Sequence, residues 1–76
     1  MQVNFENILI CDVVVNDYKG KSYPQLVVYN KTDRQLYRIG FDYSLLDEMK
    51  TAVNTQQDIT AELTTYQGKN KFKLVV

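Results

Sequence analysis

The chain has 76 residues, 45% hydrophobic and 24% charged, with nine basic and nine acidic side chains and no net charge. That length predicts one domain over residues 1–76 with one modest core, near the lower limit for folding without staples. With no histidine, one cysteine and three glycines, it offers no nucleophile–base pair, no Cys/His metal set and no phosphate-cradling loop, so the expectation is a non-enzymatic protein without cofactor or metal.

The N-terminal stretch MQVNFENILI lacks a charged n-region and a small-residue cleavage site. No apolar run approaches the ~20 residues that span a bilayer, so no membrane partner is expected. Cys11 lies in an apolar run and has no intrachain partner, which reads as a small buried hydrophobe in a reducing compartment. The location expected is the cytoplasm.

In chain order, Phe5 to Asn16 is apolar at odd positions (Leu9, Cys11, Val13, Val15) and at even ones (Ile8, Ile10, Val14). A long, bent first strand, buried on changing faces, accounts for this. A Gly/Lys loop follows over Asp17–Ser22, and then a hairpin turning at Asn30-Lys31-Thr32-Asp33. Setting Asn30 opposite Asp33 puts Leu26, Val28, Tyr37, Ile39 and Phe41 on an inward face. Tyr23, Gln25, Tyr29, Arg34 and Arg38 then face outward with Val27 and Leu36.

Asp42 or Ser44 is placed to cap a helix running to about Asn54, with Leu45, Leu46, Met49, Ala52 and Val53 as its apolar stripe. Asp42, Asp47, Glu48 and Asp58 match no calcium loop and read as a solvated acidic face. A strand with Ile59, Ala61, Leu63 and Thr65 on one face turns at Gly68-Lys69 and returns through Phe72, Leu74 and Val76. Pairing Gln67 with Asn70 places Leu63 by Leu74 and Thr65 by Phe72, with Tyr66 by Lys71 and Thr64 by Lys73 outside.

The order is strand, strand, strand, helix, strand, strand. Five strands in so short a chain gain most by closing, which predicts an all-β fold: a small five-stranded, OB-fold-like Greek-key barrel with one short helix. An open antiparallel sheet covered by the helix is the competing architecture.

Charge is segregated despite the zero total. Residues 1–16 carry −2, 17–38 carry +3, 39–58 carry −3 and 59–76 carry +2. Both positive blocks fall on the hairpins, where they can focus a local field. OB-folds present their second and third strands and the loops joining strands one to two and four to five. Those elements hold Tyr18, Lys19, Lys21, Tyr23, Tyr29, Arg34, Arg38, Tyr66, Lys69 and Lys71. Aromatic faces that stack bases, beside cations that track phosphates, are the chemistry of single-strand binding.

The stretch Gly20-Lys21-Ser22-Tyr23 is similar to the Gly-Lys-Pro-Tyr stretch of the filamentous-phage single-stranded DNA-binding proteins, small OB-fold proteins that act as dimers. The resemblance covers about four residues. It implies a single-stranded nucleic acid as partner, with DNA favoured over RNA, a homodimer, and a DNA-binding role for Tyr23. The chain departs from that group in its helix between strands three and four. The same Tyr/Arg face also suits a protein-interaction module, since tyrosine and arginine dominate protein hot spots as well.

Overall fold

The computed structural model describes residues 1–75, which form strands β1 (Gln2–Tyr18), β2 (Lys21–Asn30) and β3 (Gln35–Gly40), a 3-10 turn (Tyr43–Leu45), helix α1 (Leu46–Thr51), and strands β4 (Gln56–Tyr66) and β5 (Lys69–Leu74). The strands close into a barrel in the order β1-β2-β3-β5-β4, as expected of an OB-fold-like chain. Neighbours are antiparallel except β3 and β5, which run parallel and meet only at Ile39–Phe72 and Gly40–Lys73.

The first strand explains its own mixed pattern. It pairs with β4 through Gln2–Leu9 and with β2 through Leu9–Tyr18, and its register slips by one residue in each pairing, between Phe5 and Ile8 and again between Ile10 and Asp12. Each slip reverses which side chains point inward. The inward set therefore passes from Phe5 to Ile8 and Ile10, all buried, and then to half-buried Val13. At the first bulge Asn7 takes φ 52°, and its N–H donates to Asp58 Oδ1 at 2.8 Å.

Phe5, Ile8, Ile10, Leu26, Val28, Ile39, Phe41, Ile59 and Ala61 form the core. Full burial of an aliphatic side chain is worth about 1.5–3 kcal/mol, so Ile8, Ile10, Leu26, Val28 and Ile39 carry much of the stability. Tyr37 is half-buried; its ring packs 5.2 Å from Phe5 and 5.8 Å from Phe72, and its hydroxyl donates to Asp33. Leu63, Phe72 and Leu74 are half-buried, while Thr65 is exposed at the hairpin end. Val76, expected beside Phe72 and Leu74, lies outside the described residues.

Both hairpin registers differ from expectation by two residues. Tyr29 faces Leu36 and Asn30 faces Gln35, so the β2–β3 turn has four residues, Lys31 to Arg34. Side chains stabilise the longer loop: Thr32 N–H donates to Asn30 Oδ1 at 3.0 Å and Gln35 N–H to Asp33 Oδ1 at 3.0 Å. In the second hairpin Tyr66 faces Lys69, and the turn is Gln67-Gly68. A shift of two leaves side-chain parity unchanged, so both faces come out as expected.

The Asp17–Ser22 loop is instead a continuation of the strands, closed by the two-residue turn Lys19-Gly20. The helix is also shorter than its apolar pattern predicts. Asp42 caps the 3-10 turn, accepting from Ser44 N–H at 3.1 Å. Beyond Thr51 the chain is drawn back to the barrel: Asn54, at φ 70°, donates from its N–H to Ile10 O at 2.7 Å, and Ile10 N–H donates to Thr55 O at 2.9 Å. Leu45, Leu46, Met49, Ala52 and Val53 still pack against the core. Among the described residues, no helix is long and apolar enough to cross a membrane.

Candidate nucleic-acid interface

The β1–β2 hairpin, the end of β3 with the turn after it, and the β4–β5 hairpin enclose an open groove of about 910 Å³. Tyr18 and Tyr23 line it from the first hairpin, Arg38 from β3, Tyr43 from the turn, and Lys71 and Lys73 from β5. Among the described residues that line it, none is Asp or Glu. In a chain with equal numbers of acids and bases, the lining thus carries three positive side chains and no negative one, with Asp17, which accepts from Ser22, and Asp42, near Lys73, just outside it.

Strand alternation sets this arrangement. Outward positions of β2 and β3 bring Val27 beside Arg38 and Gln25 beside Gly40, and Gly40 in turn lies beside Lys73 of β5. Gly40 leaves the groove without a side chain at this point. A Cβ built there would meet Phe72 O at 3.6 Å and Pro24 O at 4.0 Å, both ordinary contacts. Asp42, between two lining residues, is occupied with its cap. Hydrogen bonds from Ser44, main chain first and hydroxyl second, and then the nearby charge of Lys73, hold its carboxyl below the usual carboxylate range.

The hairpin tips share a pattern. Tyr18-Lys19-Gly20-Lys21 and Tyr66-Gln67-Gly68-Lys69 are both Tyr-x-Gly-Lys. Each turn has two left-handed residues, at φ 49° and 76° in the first and 50° and 74° in the second, the geometry of a type I′ hairpin. Tyr faces Lys across the closing pair in both, and the two tyrosines are 63% and 65% exposed. The spacing of the two Gly-Lys pairs was the signal in the sequence. Lys19 Nζ lies 5.3 Å from the Tyr18 ring centroid, a cation–π contact across the tip.

Of the ten residues singled out from the sequence, Tyr18, Tyr23, Arg38 and Lys71 line the groove. Lys19, Lys21, Tyr66 and Lys69 stand at the exposed tips of the two hairpins that flank it. Tyr29 and Arg34 are not brought to it. Tyr29 is half-buried six positions along β2 from Tyr23, about 20 Å away, between Leu9 and Leu36. Arg34 sits in the β2–β3 turn at φ 58°. Tyr43 and Lys73 line the groove and were not singled out. Lys73 alternates with Lys69 and Lys71 along β5, which marks all three as one outward row.

No family model, curated protein or solved structure matches this chain. The groove's own chemistry is therefore the ground for a function.

Proposed function

We propose that the protein is a non-catalytic single-stranded nucleic-acid-binding protein, with DNA preferred to RNA, as the resemblance to the phage proteins implies. It would protect or organise single strands in replication or recombination. One observation carries the reading: a groove lined, among the described residues, by three cations and three tyrosines and by no Asp or Glu, in a chain of zero net charge. Bases stack on tyrosine rings for about 1–3 kcal/mol each, and Arg38, Lys71 and Lys73 replace counterions along the phosphates. The two Tyr-x-Gly-Lys tips repeat that pairing of ring and cation on either side.

A direct comparison of a labelled single strand with its duplex tests this. The expected result is retardation of the single strand at protein concentrations that leave the duplex free. Equal retardation of both would contradict it.

A separate observation favours protein contact elsewhere on the molecule. The outward row Leu9–Tyr29–Leu36 is apolar, and Leu36 is 65% exposed. We propose that a second copy of the chain covers this row, away from the groove, so that the protein acts as a homodimer.

A further inference from the structure

The groove holds amides as well as rings and cations, and their hydrogen bonds engage the amide oxygens more than the amide N–H groups. Asn16 and Gln25 are diagonal neighbours on the outward face of the β1–β2 pair. Asn16 Nδ2 donates to Gln25 Oε1 at 3.2 Å, which takes one of that oxygen's two lone pairs and leaves both N–H groups of the Gln25 amide free among the described residues. Asn70, on the opposite side, accepts one bond at Oδ1 from Thr65 Oγ1 at 3.1 Å and likewise keeps both amide N–H groups free. Arg38, Lys71 and Lys73 are donors without any acceptor atom, and no carboxylate lines the groove among the described residues. Among these amide and charged groups donors outnumber acceptors: Asn16 Oδ1 is without a donor among the described residues, and Gln25 Oε1 and Asn70 Oδ1 each keep one lone pair.

A donor-rich lining discriminates between bases at one position. Thymine, or uracil, carries an exocyclic carbonyl where cytosine carries an amine, and guanine differs from adenine in the same way. Donors such as arginine, lysine and amide N–H pair with the carbonyl; facing an amine, they leave two donors opposed and unpaired.

We propose that the groove reads the exocyclic group of its bases, favouring the keto bases thymine, uracil and guanine over the amino bases cytosine and adenine, with Gln25 as a specificity-determining residue. The inference rests on the single-strand reading above. It adds a preference by base chemistry to binding that is otherwise largely independent of sequence.

Oligo-dT and oligo-dC of equal length test it, because the two pyrimidines differ chiefly at that group. Fluorescence anisotropy should give a Kd at least about fivefold lower for oligo-dT, the lower end of what one good base-edge contact provides. In Gln25→Leu the ratio should fall towards one. In Gln25→Glu, which puts acceptors in place of the donor, overall affinity should drop and the ratio should move towards cytosine. Gln25 lies on the outward face, and circular dichroism of both variants verifies that they fold. Equal affinities in the native protein overturn the proposal, as does a dT preference unchanged in both variants, which would mark it as a property of strand flexibility. Either result leaves single-strand binding itself standing. Failure of the native protein to bind either oligonucleotide overturns that as well.

Discussion

Gly40 shows how little a residue must do to shape the groove. Its lack of a side chain keeps the space between Arg38 and Lys73 open, and its backbone has no need of glycine's left-handed freedom. Gly40→Leu should therefore fold with near-native stability while its side chain fills the space. Single-strand affinity should fall by about 1–3 kcal/mol, the worth of one displaced stacked base, and a binding titration beside a thermal melt separates the two effects. Tyr37 works differently, as part of the core wall. Its hydrogen bond to Asp33, its partial burial and the adjacent carboxylate charge all push its pKa up. The folded protein thus keeps a proton that the unfolded chain releases above about pH 10. Stability from this group is level below that pH and is lost as pH rises through the folded pKa. Urea melts between about pH 9 and about pH 11 should show a shallower decline in Tyr37→Phe than in the native protein.

At the scale of elements, the two Tyr-x-Gly-Lys turns explain both what could be read in the sequence and what could not. The type I′ geometry demands a left-handed residue before the glycine, where Lys19 and Gln67 stand instead of the favoured asparagine. Gln67→Asn should therefore raise stability by up to about 1 kcal/mol, whereas Gly68→Ala should lower it by about 1–2 kcal/mol although no atom crowds that position. Thermal melts of the two variants should move in opposite directions. Because neither Lys nor Gln announces a left-handed turn, residue types left the registers undetermined, and the four-residue β2–β3 loop depends on the Asn30 and Asp33 side chains as much as on its length. The faces were legible all the same, since alternation has period two and survives a shift of two. Apolar residues at both parities revealed that β1 bends, but not that the extra residues sit near Asn7 and Cys11. The helix stripe was legible as core. Its early end was not, because it is set by main-chain bonds from Asn54 and Thr55 to a distant bulge.

For the whole molecule, closure of the barrel turns a segregated charge pattern into a surface. The positive blocks over residues 17–38 and 59–76 meet across the groove because β3 and β5 are neighbours. The blocks and four of the groove's residues were legible in the sequence; the place of Tyr43 and the exclusion of Tyr29 were not, since both depend on where β3 ends and how the barrel closes. The apolar row at the other end of β2 gives a separate expectation. Light scattering at micromolar concentrations should return twice the mass of one chain, and Leu36→Glu should return one, with the single-strand groove intact. A native mass of one chain would remove the dimer and leave the groove untouched. The salt dependence of binding to a labelled single strand, for the native protein, Lys71→Ala and Tyr23→Ala, tests the groove's role. The native slope of log K against log salt should be steeply negative and should shrink by about 0.7 in Lys71→Ala, the share of one phosphate contact on a single strand. In Tyr23→Ala affinity should fall by about 1–3 kcal/mol with the slope unchanged. Binding that ignores salt, or that survives both substitutions in folded protein, would contradict single-strand binding by this groove.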